Sequence, residues 1–133
     1  MRIVLDTNVL VAGIFWSGPP SEILKRWKEG CITLVVSPEI IEEYLRVGEE
    51  LGQEYPAIDA SPILDLIVTS SEICIPDALP LQVCQDASDD KFIACALSSK
   101  TDFVVSGDKL LLKVSGHQGI TVMKPKDFLK LLS

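Results

Sequence analysis

Short aliphatic runs alternate with helical segments from one end of this chain to the other. This alternation is typical of a parallel β-sheet that carries helices on both faces. The run from Ile32 to Val36 is almost uniformly hydrophobic, as expected of a strand that is buried on both sides. The clear strand candidates are Arg2–Leu5, Ile32–Val36, Phe103–Val105 and Ile120–Val122, and the proline-rich segment Ile73–Val83 has room for one more. We therefore predict a three-layer α/β/α sandwich around a central, mainly parallel sheet.

Helix signals fill the intervals between these strands. The strongest start is Ser37-Pro38, which offers a serine N-cap followed by proline at the first helical position. Gly30 marks the end of the helix before it. The predicted helices are Ser21–Glu29, Ser37–Gly52, Ser61–Ser71, Asp89–Ser99, Lys109–Lys113 and Pro125–Leu132, with a further helix beginning near Thr7. No repeat or linker interrupts the pattern, so we expect one domain over residues 1–133.

Composition narrows the class of protein further. Hydrophobic residues make up 47 % of the 133 residues, and no apolar run approaches the roughly 18 residues that a membrane-spanning helix needs. The amino-terminal residues lack the features of a signal peptide, so a cytoplasmic location without membrane attachment is expected. The four cysteines are widely spaced and there is one histidine, which argues against a zinc site or a disulfide framework.

Charge is distributed unevenly along the chain. The net charge of −7 argues against a protein that coats nucleic acid non-specifically. Residues 1–99 carry 6 basic and 16 acidic side chains, whereas residues 100–133 carry 6 basic and 3 acidic ones. The carboxyl-terminal lysines are Lys100, Lys109, Lys113, Lys124, Lys126 and Lys130. They either flank a polyanion-binding site or form an ordinary solvated surface.

Four acidic residues fall where an α/β fold brings side chains to the carboxyl edge of its sheet: Asp6, Glu43, Asp90 and Asp108. Ligands bind in the crevice at that edge in open parallel sheets. Carboxylates that share a small volume resist ionising together unless a cation is present. Because hard divalent ions prefer oxygen ligands, the pattern predicts a metal centre for chemistry on phosphate.

Asp6 and Glu43 are supported by their local context. Asp6 follows an aliphatic strand and precedes Val9, so its carboxylate is expected to be held against the core; it can also cap the helix that begins near Thr7. Thr7 and Asn8 add a hydroxyl and an amide that can orient Asp6 or a metal-bound water. On the Ser37 helix, Glu43 is the glutamate best placed beside the apolar face to reach the sheet edge, the alternative being a surface glutamate.

The helix that begins near Asp89 is apolar almost all round and is expected to be buried. Asp90 lies on the same side of this helix as Ile93, within its apolar face. Asp86 and Asp89 are further candidates for the site, and their negative charges are also favourable at the positive, amino-terminal end of the helix dipole. Asp108 follows a strand and Gly107, so it either caps the next helix or joins the site. Ser106 offers a hydroxyl beside it.

These motifs resemble those of the PIN-domain ribonucleases. Asp6-Thr7-Asn8 is similar to the family's opening motif, the segment Ser37–Leu45 to its second, Asp90–Leu97 to its third and Ser106–Lys109 to its fourth. The resemblance implies a five-stranded sheet of order 3-2-1-4-5 and catalytic roles for Asp6, Glu43, Asp90 and Asp108. Relatives often carry a second acid after the last aspartate, whereas Leu110 follows Lys109 here, which leaves one ligand fewer for a second metal ion.

The function implied is metal-dependent hydrolysis of RNA phosphodiester bonds. Mg²⁺ or Mn²⁺ is expected on Asp6, Asp90 and Asp108, with Glu43 orienting a water or holding a second ion. The nearest subset of the family suggests the toxin of a toxin–antitoxin pair, with a small antitoxin protein as partner and a possible homodimer formed through Phe15 or Trp16. The alternatives are a catalytically silent PIN-like scaffold that binds RNA or protein and, less well supported because Asn8 replaces a second aspartate, a haloacid-dehalogenase-type phosphotransferase.

Overall fold

The computed structural model describes residues 1–133 and contains a five-stranded sheet in which every neighbouring pair of strands is parallel. The strands are β1 (Arg2–Leu5), β2 (Thr33–Val36), β3 (Glu72–Ile73), β4 (Phe103–Val105) and β5 (Thr121–Met123). Their order across the sheet is β3-β2-β1-β4-β5, and helices flank the sheet. The predicted α/β/α architecture and strand order are confirmed.

Seven helices connect and cover the strands. They are α1 (Thr7–Phe15), α2 (Pro19–Lys28), α3 (Pro38–Glu54), α4 (Ser61–Ser70), α5 (Asp90–Ser99), α6 (Lys109–Leu112) and α7 (Pro125–Leu132). Short 3₁₀ turns lie at Ala87–Asp89 and His117–Gly119. The Ser37 hydroxyl caps α3 by accepting a hydrogen bond from the Ile40 N–H at 3.2 Å, as its sequence predicted.

The register brings the carboxyl ends of the central strands to one level. Leu5 of β1 lies opposite Val105 of β4, which in turn lies opposite Met123 of β5. The Asp6 N–H then donates to the Val105 carbonyl at 3.0 Å, and the Ser106 N–H donates to the Met123 carbonyl at 2.9 Å. Asp6, Ser106 and the start of α7 are therefore neighbours in space, although they come from opposite ends of the chain.

The core is aliphatic, with three large aromatic side chains fully buried within it. Ile3, Val4 and Leu5 of β1 are all buried, which means that both faces of the central strand are covered. Helix α5 packs across β1, β2 and β4 and supplies Phe92, Ile93 and further small residues to this core. The fully buried aromatic residues are Tyr44, Phe92 and Phe128.

Three local features differ from the sequence-based expectations. The predicted strand candidate between Ile73 and Val83 is a two-residue strand at its very start, β3, and the rest of that segment is loop. Helix α3 continues two residues past Gly52 to Glu54. Of the two residues proposed for a dimer contact, Phe15 is buried whereas Trp16 remains 49 % exposed.

None of the helices is both long and apolar enough to cross a membrane.

Candidate active site

Asp6 lies at the end of the central strand, where β1 passes into α1. Its side chain is only 4 % exposed, and its Oδ2 accepts a hydrogen bond from the Ser106 hydroxyl at 2.6 Å. The same hydroxyl accepts from the Asp108 N–H at 3.0 Å. Ser106 is itself fully buried, so it fixes the relative position of the two aspartates rather than contacting solvent.

Burial raises the pKa of Asp6, and the nearby charges of Asp108 and Glu43 raise it further. The hydrogen bond from Ser106 opposes this shift because it favours the charged form. The net effect is a carboxyl group whose ionisation is disfavoured in the protein alone. A nearby cation would remove that penalty.

Asp108 serves two purposes in the fold. Its Oδ1 accepts a hydrogen bond from the Leu110 N–H at 2.9 Å and so caps the short helix α6, as the sequence allowed. It also raises the pKa values of both Asp6 and Asp89 through its charge. The capping bond therefore holds the carboxylate at the sheet edge beside the other acids.

Asp89 joins this group from the turn that precedes α5. Burial raises its pKa to about 6, and the charges of Asp6, Asp108 and Asp86 contribute to the same shift. One of its carboxylate oxygens, Oδ2, is buried without any hydrogen-bond partner. Because a buried polar atom is normally paired, this oxygen indicates a missing cationic or donor partner.

Asp90 is not brought into this group. Its two carboxylate oxygens accept hydrogen bonds from the backbone N–H groups of Cys84 at 2.7 Å and Val83 at 3.1 Å. The side chain thus anchors the loop that precedes the 3₁₀ turn. Asp86 is exposed and accepts hydrogen bonds from the Ser88 hydroxyl at 2.8 Å and from the Ser88 N–H at 3.0 Å, and these local bonds lower its pKa.

Glu43 reaches the sheet edge from the second turn of α3, where the sequence predicted it. It accepts a hydrogen bond from the Thr7 hydroxyl and lies 3.0 Å from Nζ of Lys91. Arg46 approaches the same carboxylate from the solvent side at 3.9 Å. Sequence reasoning did not single out Lys91; the signal for it was a lone lysine between an acidic turn and the apolar stretch of α5.

Asn8 opens onto an adjacent groove rather than onto the buried acids. It is exposed and lines a cavity of about 370 Å³ that extends from Asp108 toward the start of α7. The remaining residues that line this cavity are Val9, Ala12, Pro20, Gly107 and Pro125. The groove therefore leads directly away from the acidic group along the surface of the protein.

The donor set fits a hard divalent ion better than any other group. Asp6, Asp89 and Asp108 supply oxygen atoms, their mutual repulsion calls for a cation, and Asp89 Oδ2 is unpartnered. No set of three His, Cys, Asp or Glu side chains is spaced to coordinate one ion directly.

The central strand of the parallel sheet ends in a buried aspartate, and the loops after neighbouring strands bring further acidic residues to the same edge. The chain is therefore an α/β protein with an acidic centre at the edge of its sheet. The PIN domain family model matches residues 2–110, and the chain belongs to that family. An uncharacterized protein of Methanocaldococcus jannaschii is 28 % identical over 145 residues, covering 98 % of this chain and 90 % of the relative. PIN domains are generally nucleases and typically use divalent metal ions.

Proposed function

We propose that this protein is a divalent-metal-dependent endoribonuclease. The observation that carries the proposal is the buried, unpartnered Oδ2 of Asp89 beside the charges of Asp6 and Asp108. Such an arrangement is unfavourable in a protein that binds nothing, because the Asp89 oxygen loses hydration without gaining a partner and the neighbouring charges repel one another. Mg²⁺ or Mn²⁺ held by Asp6, Asp89 and Asp108 would relieve this penalty and would lower the pKa of a bound water, which is the chemistry that hydrolysis of a phosphodiester needs.

The protein's own residues divide the work at this centre. Asp6 and Asp108 are proposed metal ligands, as predicted, and Ser106 keeps them at a fixed separation through its two hydrogen bonds. Asp89 is proposed as the third acid because its free oxygen lies among them. Asp90 was predicted for that role; its two backbone hydrogen bonds favour a role in positioning the loop that ends at Cys84.

The basic carboxyl-terminal region provides a route for the RNA backbone. Lys124 follows β5 directly, opposite Ser106 when the β4–β5 register is continued, and it precedes Pro125, which lines the groove together with Asn8 and Asp108. Lys109 follows Asp108 immediately. Both lysines are exposed and neither forms an ion pair, so their charges are available to phosphates.

A paired charge reversal tests this route. Lys124→Glu is expected to weaken RNA binding and to reduce the dependence of log K on log salt by about one, the value for one lost phosphate contact. Lys28→Glu is the matched control, because Lys28 is equally exposed and lies about 12 Å along α2 from the groove residue Pro20. Equal effects of the two substitutions would refute the route and leave only a general effect of net charge.

The toxin assignment rests on the resemblance of the four motifs to toxin-type PIN proteins. We propose a small antitoxin protein as partner and a cytoplasmic site of action. Co-expression with the product of a short adjacent reading frame is expected to relieve growth arrest caused by this chain. Growth that is unaffected by the chain alone, at an expression level confirmed by blotting, would contradict the toxin role.

A catalytically silent scaffold is the second candidate, favoured by the lack of three acids at direct coordination distance from one another. Calorimetric titration with Mn²⁺ and Mg²⁺ separates the two functions when single-stranded and structured RNA are assayed for cleavage in parallel. The nuclease requires metal binding and metal-dependent cleavage that Asp89→Asn abolishes. Asp102→Asn is the control, since Asp102 is exposed and precedes β4 at the opposite edge of the sheet. Folded protein that binds no metal supports the scaffold.

A further inference from the structure

We propose that Lys91 is a built-in cation that holds Glu43 in place of a second metal ion, so that the acidic centre binds one divalent ion. This inference deepens the proposed nuclease function and rests on it. Lys91 is not one of the residues that the four sequence motifs predicted for the site. Its consequence is a metal stoichiometry of one.

The ammonium group of Lys91 is deeply placed for a lysine. Its side chain is 8 % exposed, and its Nζ lies 3.0 Å from Glu43 Oε1 while it also donates to the Ser88 carbonyl. Lysine rarely becomes this buried unless its charge is paired. The contacts of Lys91 therefore form a fixed ion pair that connects α3 to the start of α5, rather than a mobile surface contact.

Glu43 has both carboxylate oxygens engaged by this arrangement. Oε1 faces Lys91, and Oε2 accepts a hydrogen bond from the Thr7 hydroxyl. Thr7 is itself buried, so its hydroxyl cannot turn freely to solvent. A metal ion on Glu43 would have to displace one of these donors, whereas an ion on Asp89 Oδ2 displaces none.

The charge balance of the acidic centre also favours a single divalent ion. Asp6, Glu43, Asp89 and Asp108 together carry four negative charges when ionised, and the Lys91 ammonium offsets one of them. One divalent ion leaves a single negative charge, which the waters and backbone dipoles around the site can accommodate. A second ion would make the centre positive beside the Lys91 ammonium, and like charges held close together are unfavourable.

Lys91 also acts on the acids beyond Glu43. Its charge lowers the pKa of Asp86 and opposes the upward shift at Asp89. The same ammonium lies 5.5 Å from the centre of the Phe92 ring, a further contact that holds it in this position. Lys91 is therefore a positioning residue whose charge reaches the acidic group through space.

Calorimetric titration with Mn²⁺, combined with electron paramagnetic resonance for coupling between ions, tests the proposal. Wild-type protein is expected to bind one Mn²⁺ without spin coupling. Lys91→Gln frees Glu43 and is expected to bind a second Mn²⁺ and to show a coupled pair. Lys91→Arg retains the charge and should bind one ion, and Lys91→Gln combined with Glu43→Gln should return the stoichiometry to one.

The possible failures are distinct. Two ions in the wild-type protein, together with RNA cleavage, would overturn the role of Lys91 and leave the nuclease intact. One ion in folded Lys91→Gln would also overturn it. If Lys91→Gln does not fold, Glu43→Gln in the wild-type background decides the matter: a Mn²⁺ affinity within about twofold of wild type supports the proposal, and a tenfold loss overturns it. No Mn²⁺ binding to folded wild-type protein would refute the nuclease and this inference together.

Discussion

Replacing Asp6 with asparagine separates the contribution of this carboxylate to folding from its contribution to function. Asparagine has nearly the same shape and keeps an oxygen that can accept from the Ser106 hydroxyl, which now bonds Asp6 Oδ2 at 2.6 Å. The bond becomes a neutral one, which weakens it by about 1 kcal/mol. Against this loss, the substitution removes a buried charge from the neighbourhood of Asp108 and Glu43.

In the metal-free protein, removing the buried charge stabilises the fold by at least as much as weakening the bond to Ser106 destabilises it. Burial is the largest cause of the raised pKa of Asp6, which means that the ionised form opposes folding at pH 7 despite the bond from Ser106. Asp6→Asn is therefore expected to leave the metal-free stability unchanged or to raise it by about 1 kcal/mol, the lower end of the gain seen when buried charges are replaced by neutral groups. For a chain of 133 residues this is a rise in Tm of roughly 3 °C.

Metal binding is expected to make the wild-type protein more stable than Asp6→Asn. Mn²⁺ at one hundred times its Kd stabilises the protein that binds it by about 2.7 kcal/mol, or roughly 10 °C in Tm. Wild-type protein is expected to show this shift in differential scanning calorimetry at pH 7, whereas Asp6→Asn shows less than about 2 °C and no RNA cleavage. Asp102→Asn should behave as wild type. Unfolding of metal-free Asp6→Asn, or an equal Mn²⁺ shift in both proteins, would refute the reasoning.

Four further substitutions test the packing and the site. Gly13→Ala should destabilise by about 1–3 kcal/mol in urea unfolding because its Cβ would lie 2.8 Å from a backbone carbonyl, whereas Gly52→Ala meets no atom within 4 Å and should stabilise by about 0.5–1 kcal/mol. Tyr44→Phe loses a buried 2.5 Å hydrogen bond to the last carbonyl of β1 and should cost about 1–2 kcal/mol by the same assay. The pKa of Asp89 is raised to about 6, so the free energy of unfolding of the metal-free wild-type protein should decrease as the pH rises from about 4 to about 6. Asp89→Asn should make this decrease smaller. A pH profile that the substitution leaves unchanged would contradict the environment assigned to Asp89.

The fold was predictable from the sequence because its strongest signals are local. The aliphatic strand at Arg2–Leu5 and the Ser37-Pro38 helix start each specify their element with residues a few positions apart. The weakest element was β3, since two exposed residues at Glu72–Ile73 carry neither alternation nor length. Its position in the sheet follows from pairing with β2, which is information that no local pattern contains.

The site was predictable at the level of segments but not of every side chain. Asp6 and Asp108 could be predicted for the candidate site because Asp6 follows β1 directly and Asp108 follows β4 after two residues, at the edge where open parallel sheets bind ligands. Asp90 was favoured over Asp89 because it falls on the apolar arc of α5. That arc also faces the loop ending at Cys84, whose backbone N–H groups bind the Asp90 carboxylate, and a loop of this kind leaves no periodic signal in sequence.

Neighbouring aspartates at the start of α5 thus have opposite environments, and the contrast bears on function. Each carboxylate oxygen of Asp90 accepts a hydrogen bond from a backbone N–H, so this side chain has its partners within the protein. Asp89 has a buried oxygen with no donor, and the charges of Asp6, Asp108 and Asp86 disfavour its ionisation, so compensating its negative charge requires a further partner. Because Lys91 is already committed to Glu43, that requirement falls on an external cation. The proposed metal site is therefore centred on the residue whose charge the fold leaves unbalanced.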